Sequence, residues 1–498
     1  MKPRPVRNVL LFLTDQQRKD SIGAYGNPLI RTPSFDRIAR EGLRFERAYT
    51  QNPFCSPARA SILTGTHPRT HGVWHNGIQF RTGVPTLGDM LLEEGFRTGS
   101  VGKIHLNPWF GEAPPVCFEE SRRHWEEHPE MAAWHGPYCG FQDVHMVLGH
   151  GHYSMYAGHY GAYLKAAYPE GAEKLKRPAA LLDDGYLETW VNAIPEEHHY
   201  DTWIADRTVE MIDRCASERF FIHCSFPDPH HPFTACEPYA SMYSPGDMPD
   251  SIPASEEELE SMPPFYVRQH RGEPSFYDRR PASFDKDIAG EPLRAIKAQT
   301  YGMVTHVDTC IGRILDHLES RGLLEETLIV FTTDHGELLG DHGLLYKGPF
   351  YYQSLVNVPL LMRRPGQRPA VVTDLAAHVD IVPTVLESLG VQTPEYLPGR
   401  SLAGWFAGEP QHSRDAALTE FRPFGCPNMK VLHTGRWKYV YYGTEEYGEL
   451  FDLAEDPEEH SNLFADPAHR ETRDRLQARL LQELTATEAP WPGRGSWE

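Results

Sequence analysis

The strongest chemical feature of this chain is a cysteine set at the start of a helical pattern. The run is Cys55-Ser56-Pro57-Ala58-Arg59, continued by Ala60-Ser61-Ile62-Leu63-Thr64-Gly65. Ser56 is a good N-cap, Pro57 suits the first helical position, and Gly65 is a natural stop. The first-turn N–H groups of such a helix point toward Cys55 and carry positive partial charge. Arg59 adds a full charge near the same mouth. The expectation is a sulfur nucleophile, or something made from it, beside an anion-binding site.

Two adjacent pairs extend the chemistry. Asp15-Gln16 and Asp334-His335 each follow a short apolar run. Two carboxylates, an amide oxygen and an imidazole can hold a divalent cation, with the group at position 55 completing the shell. Oxygen-rich ligation puts calcium first and magnesium with it, whereas the histidine moves the preference toward manganese or zinc. Gly102-Lys103-Ile104-His105, Asp228-Pro229-His230-His231-Pro232 and Gly343-Leu344-Leu345-Tyr346-Lys347 add bases and cations. A lone lysine or histidine of this kind is usually solvated or structural. Their joint placement argues otherwise.

That placement follows from the elements that must carry them. Apolar runs at Val9–Thr14, Thr98–Val101, Phe220–Ser225 and Leu328–Thr333 read as buried parallel strands. Helical patterns at 34–42, 86–95, 202–215, 292–321 and 380–390 alternate with them. The predicted class is α/β, a large mixed, mostly parallel sheet between helices. Asp15, Lys103, His230 and Asp334 all follow strand ends, the edge where open α/β sheets bind ligands. The segments near 108–200 and 244–290 read as irregular loops that shape specificity, and His145, His150, His152 and His159 are candidates to line the pocket. His306, inside the long helix, reads as core. From about 414 the texture changes to short strands at 417–422, 429–434, 437–442 and 449–453, then a charged helix over 467–487. The division expected is a catalytic domain over 1–410 and a smaller C-terminal α+β subdomain over 411–498. Its tail, Pro490-Trp491-Pro492-Gly493, is expected to pack on a neighbour, which implies a homo-oligomer.

Composition narrows the partners. Against 48 basic residues stand 69 acidic ones, a net charge of −21, which argues against nucleic acid or an anionic membrane. No stretch is long and apolar enough to span a bilayer. The basic start runs into an apolar segment too short for a signal peptide and ended by Asp15, so it reads as a core strand. Eight cysteines without a Cys-x-x-Cys pair make a reducing cytoplasm the simplest setting.

The pattern C-x-P-x-R-x-x-x-L-T-G at position 55 resembles the signature of the formylglycine-dependent sulfatases of the alkaline phosphatase superfamily. Gly102–His105 is similar to the family's Gly-Lys-x-His, and Pro229–Pro232 to its Pro-His-x-Pro. Thr64–Pro68, His378–Thr384 and Glu449–Leu453 look like further landmarks, so the resemblance covers nearly the whole chain. Asp-Gln and Asp-His at the metal pairs, where many members carry Asp-Asp and Asp-Asn, resemble the branch of choline sulfatases, arylsulfatases and phosphonate monoester hydrolases.

The resemblance implies an alkaline phosphatase-like fold and a set of roles. Cys55 would be oxidised by a formylglycine-generating enzyme, and the hydrated aldehyde would be the nucleophile. Asp15, Gln16, Asp334 and His335, with position 55, would hold one divalent metal ion. Arg59 and the metal would acidify the hydrate. Lys103 would hold a sulfate oxygen, and His105 would deprotonate the second hydroxyl. His230, or His231 if the register is one residue off, would bind the transferring group or protonate the leaving oxygen. Lys347, with a lowered pKa, would share that acid role. Asp341-His342 would shape the loop carrying Lys347, and Asn76 is a further candidate to reach the site. The implied reaction is hydrolysis of a small-molecule sulfate ester through a covalent sulfo-enzyme. A gem-diol can then expel sulfate from itself without an attacking water. The rivals are a phosphonate monoester or phosphate diester hydrolase with the same nucleophile, and a silent relative that only binds sulfated ligands.

Overall fold

The computed structural model describes residues 5–81, 83–109, 119–150, 155, 157–171, 189–271, 290–408, 414–422, 428–443 and 445–488. Eight strands build the main sheet: β1 (Asn8–Thr14), β2 (Leu43–Tyr49), β3 (Arg97–Gly102), β4 (Asp143–Met146), β5 (Phe220–Ser225), β6 (Thr327–Thr333), β7 (Asn357–Arg363) and β8 (Ala370–Ala377). Their order is β4-β3-β5-β1-β6-β7-β2-β8. β7 runs antiparallel to β6 and β2, and the other neighbours pair in parallel.

Every residue of β1 is buried, as a central strand covered on both faces requires. Val9, Leu11 and Leu13 enter one core layer, with the helices Cys55–Thr64, Leu87–Glu93 and Ile381–Ser388. Leu10 and Phe12 enter the other, under the helices Tyr200–Cys215 and Glu291–Ser320. Thr86 and Asp89 start the Leu87–Glu93 helix with a reciprocal capping box.

The sequence pattern shows four of these strands and misses four. The segment 108–200 is not simply irregular, because it supplies the sheet-edge strand β4 and the helices Arg122–Glu127 and Gly158–Ala167. The segment near 244–290 likewise holds the helices Glu256–Ser261 and Pro264–His270. The tail at 490–493 and His152 lie outside the described residues. No disulfide joins the described cysteines, and no described helix is long and apolar enough to cross a membrane.

A second sheet is antiparallel, in the order β12-β11-β10-β9, from β9 (Ala416–Phe421), β10 (Met429–Thr434), β11 (Trp437–Tyr441) and β12 (Gly448–Asp452). Leu476 and Leu480 of the helix Arg470–Ala486 cover one face. The other face, through Val431, Val440 and Phe451, packs on Tyr49, Phe54 and Leu355. Hydrogen bonds reinforce that seam: Glu420 N–H donates to Gln51 O (2.8 Å), Asn52 Nδ2 to Glu420 O (2.7 Å) and Thr419 Oγ1 to Thr50 O (2.6 Å). The small sheet therefore grips the segment that leads from β2 to Cys55.

Glu420 is the electrostatic centre of the seam. Its buried carboxylate meets Arg69 at 2.6 Å and Lys430 at 2.6 Å, with His67 at 3.7 Å. Burial alone would raise its pKa, but Lys430, Arg69 and His67 outweigh burial and hold it at about 2. Because the folded-state pKa is depressed, the ionised group stabilises the fold fully above its ordinary value of 4.5 and loses that contribution as the pH falls toward 2. Glu420→Gln strands buried cations and is expected to cost about 3 kcal/mol at pH 7. Urea unfolding at stepped pH checks this, and the gap to wild type should close below pH ~4.

Candidate functional site

The chain brings its chemistry to one edge of the large sheet. β1 ends into Asp15-Gln16, β3 into Lys103, β5 into the loop carrying His230, and β6 into Asp334-His335. β2, unseen in the sequence, leads through Thr50–Phe54 to Cys55.

The helix begins two residues earlier than expected, at Cys55, with Phe54 as its N-cap. Ser56 does not cap it, and Ser56 Oγ is buried without a hydrogen-bond partner. The capping oxygen comes from a distant residue: Asn76 Oδ1 accepts from Ser56 N–H at 3.0 Å. Asn52 Oδ1 accepts from Phe54 N–H at 2.9 Å and fixes the entry. Gly65 ends the helix with φ of 66°, as expected of a left-handed C-cap.

Donor atoms of Asp15, Cys55, Asp334 and His335 all lie within 4.8 Å of one another, and all four residues are buried. Cys55 Sγ is 3.5 Å from Asp15 Oδ1 and 3.3 Å from His335 Nε2. The Lys347 ammonium is seated among them, 2.7 Å from Gln16 Oε1, 3.0 Å from Cys55 Sγ, 2.8 Å from His230 Nε2 and 3.3 Å from His335 Nε2. A positive charge thus already sits where the donors converge. Two carboxylates, an amide oxygen and an imidazole around a cation fit a divalent metal ion.

Arg59 is not at the helix mouth as a free anion-binding charge. It is fully buried beneath the site and spends its donors on Asp334 Oδ2 (2.8 Å), Asp15 Oδ2 (2.9 Å), Ser225 Oγ (2.9 Å) and Lys103 O (2.7 Å). Lys103 Nζ adds a further bond to Asp15 Oδ2 and lies 4.8 Å from the Trp109 ring. Burial alone would raise the Asp15 pKa, but Lys103 and Arg59, then Lys347, hold it well below the carboxylate range. Burial and Asp15 push the Cys55 thiol up, so an unmodified cysteine here stays protonated at neutral pH. Burial pulls Lys347 down, yet Cys55, Asp15 and Asp334 outweigh it and raise its pKa. This reverses the lowered value expected from the sequence, because carboxylates and sulfur surround the ammonium.

His105 stacks on Trp109 with ring centroids 3.9 Å apart, and its Nδ1 is buried without a hydrogen-bond partner. Burial, then Lys103 and Arg59, hold His105 well below the usual histidine range, leaving it a neutral base. His230 faces Lys347, while His231 Nδ1 lies 3.1 Å from Gln16 Nε2, so both histidines of that loop border the site. His150 stacks on His230 at 3.4 Å. His145 and His159 do not join it. They belong to a separate group, with His145 Nε2 3.1 Å from Arg214 and His159 Nε2 2.6 Å from Trp134 O. Asp341 pins the Lys347 loop through Arg18 (2.6 Å), and His342 pairs with Glu258 (2.8 Å).

Sequence reasoning missed Glu337. Its buried carboxylate accepts from Gln16 Nε2, which turns Gln16 Oε1 toward Lys347 and the other donors. The signal was present as a third acidic residue after Asp334-His335, one turn of loop downstream. Ser225, under Arg59, gave no signal, because a serine at a strand end is common.

The sulfatase family model matches residues 7–391, and the C-terminal model of N-sulphoglucosamine sulphohydrolase matches residues 340–486. The chain belongs to the sulfatase family. It is an enzyme of the sulfuric ester hydrolase class, and its α/β architecture is that of the alkaline phosphatase-like fold. A multifunctional alkaline phosphatase superfamily protein, PehA of Trinickia caryophylli, is 30% identical over 96% of this sulfatase and 95% of its own length. An arylsulfatase of Clostridium perfringens is 28% identical over 98% of this chain and 95% of its own. Among solved structures, a phosphonate monoester hydrolase of Agrobacterium radiobacter superposes with a TM-score of 0.80 at 27% identity, covering 98% of this chain and 97% of that one.

Proposed function

We propose that this sulfatase hydrolyses small-molecule sulfate esters through a formylglycine formed from Cys55 by a maturation enzyme, with one divalent metal ion and in the cytoplasm. The observation that carries the reading is the convergence of Asp15, Gln16, Asp334, His335 and Lys347 on position 55. Asp15, Gln16, Asp334 and His335 would hold the metal, calcium first, which would supply positive charge to the nucleophile and the sulfuryl oxygens. The hydrated aldehyde would supply a nucleophile that can release sulfate without external water.

The chain's own residues do the rest. Arg59 holds the two carboxylates in one orientation and, with Lys103, keeps Asp15 ionised. Lys103 and Lys347 present ammonium groups to a tetrahedral anion seated beside position 55, where burial strengthens their effect. His105, neutral and with a buried nitrogen unpartnered, takes a proton. Lys347, an ammonium 2.8 Å from His230 Nε2, gives one to the departing oxygen, and His230, kept neutral by burial and by His150, His231 and Lys347, orients that ammonium.

A second reading is hydrolysis of phosphonate monoesters or phosphate diesters by the same residues. The superposition on the Agrobacterium enzyme favours it. Protein with a defined residue 55 should be assayed side by side on an aryl sulfate and an aryl phosphonate monoester. The sulfate is expected to react with the larger kcat/KM, by about tenfold or more, equivalent to about 1.4 kcal/mol of transition-state discrimination. A larger value for the phosphonate would install the second reading.

A further inference from the structure

Just beyond β3 the chain takes an uncommon turn at His105. Its φ of 55° lies in the left-handed region, which a residue with a β-carbon keeps only where its surroundings hold it there. The ring set by this conformation stacks on Trp109. Something outside the turn must therefore fix the residue that takes the proton.

A buried carboxylate does so. Glu120 is 1% exposed and reaches the turn from the segment that precedes the helix Arg122–Glu127. Leu106 N–H donates to Glu120 Oε1 at 3.3 Å, Asn107 N–H donates to Oε2, and the His105 N–H adds to the same attraction. Tyr138 O–H also donates to Glu120, and Asn107 Nδ2 donates to the Tyr138 oxygen at 2.7 Å. Asn107 Oδ1 in turn accepts from Phe80 N–H at 3.0 Å, and Trp109 O accepts from Arg122 N–H at 3.1 Å. The segment that bears Glu120 thus grips both ends of the loop from His105 to Trp109.

Among the described residues, the partners of Glu120 are these amides and the Tyr138 hydroxyl, with no lysine or arginine ion pair. Burial outweighs the donors and pushes its pKa up to about 7. A carboxylate buried without a cation is costly. The fold carries that cost at a point where two acceptor oxygens are needed side by side. An amide of the same shape offers one oxygen and sets an NH₂ group against the second N–H.

We propose, resting on the reading of His105 as the proton acceptor, that Glu120 is a positioning residue. By accepting the N–H groups of the 105–107 turn, it holds His105 in the conformation that presents its ring to position 55. On that reading the second hydroxyl at position 55 passes its proton to His105 and its oxygen becomes a carbonyl. The carbon–oxygen bond to sulfate breaks, and the bonding pair leaves on sulfate. Misorienting His105 slows this breakdown step and leaves the earlier transfer of the sulfuryl group to position 55 untouched. The value of kcat contains the breakdown step, whereas kcat/KM does not extend past the transfer.

The test uses the full chain with formylglycine established at residue 55, assayed on an aryl sulfate. Glu120→Gln keeps the shape and removes the buried charge. Its kcat is expected to fall about 10²-fold, the scale of a small misplacement, and KM to fall with it, leaving kcat/KM within about twofold of wild type. Rapid mixing should release about one equivalent of aryl alcohol in a burst, and the peptide containing residue 55 should carry sulfate during turnover. Tyr138→Phe removes the hydroxyl shared by Glu120 and Asn107 and should lower kcat about tenfold with the same unchanged kcat/KM. That variant keeps the question decidable if Glu120→Gln does not fold, and wild-type kinetics in it count against the proposal. His105→Ala separates the two ways of failing. A burst in His105→Ala with wild-type kinetics in Glu120→Gln overturns the role of Glu120 and leaves that of His105 standing. Neither burst nor slowing in His105→Ala removes the base itself, and the positioning role falls with it. A lower kcat/KM in Glu120→Gln without a burst makes Glu120 structural only and also overturns the proposal.

Discussion

Cys55→Ala is expected to lower kcat/KM for an aryl sulfate by about 10⁵-fold, the scale on which loss of a covalent nucleophile acts. Cys55→Ser should behave differently in a host whose maturation enzyme accepts only cysteine. A serine hydroxyl in the same place can accept one sulfuryl group, but it has no second hydroxyl with which to expel sulfate. Stopped-flow release of the aryl alcohol should then show at most one equivalent and no steady state. Mass spectrometry of the peptide containing residue 55 anchors both experiments. The wild-type peptide should have exchanged one sulfur and two hydrogens for one oxygen. Steady turnover by Cys55→Ser, with serine still present in the peptide, would remove formylglycine from the mechanism. The raised thiol pKa makes the same point from the other side. A cysteine held protonated beside Asp15 is a poor nucleophile, which supports the proposed oxidation of this position.

Legibility in the sequence followed burial. β1 and β6 are uninterrupted apolar runs because both faces of those strands are covered, and they announced themselves with the polar pairs of the candidate site attached. β2 hid because Arg44, Glu46 and Arg47 break its pattern. β7 hid behind Pro359, a residue that argues against a central strand. The structure accommodates that proline with a register shift in β2 between Phe45 and Ala48, directly opposite it, where no N–H is demanded. At the site, Asp15, Lys103, His230 and Asp334 were legible because each follows a strand. Asn76, Glu337 and Ser225 were less so, or not at all, because their work is to aim other groups. Asn76 supplies a cap that Ser56 was expected to give, and nothing local in the sequence distinguishes the two solutions.

Arg59 shows how far the geometry revises the sequence reading, and it sets the second large effect. The guanidinium bridges Asp15 and Asp334 with no solvent access. Removing it leaves two buried carboxylates short of their compensating charge, and breaking a buried pair in this way costs about 3–5 kcal/mol. Arg59→Met is therefore expected to lose that much stability in urea unfolding of protein stripped of divalent ions. Arg59→Lys keeps the charge but not the planar fork, so it cannot serve Asp334, Asp15, Ser225 and the Lys103 carbonyl together, and it should recover less than half of the loss. Added calcium or manganese should restore stability in both variants more than in wild type, since the stranded carboxylates gain most from a cation. A purely structural arginine would give the same loss with no such ion dependence. If Arg59 instead bound the substrate anion directly, Arg59→Lys would raise KM and leave stability near that of wild type.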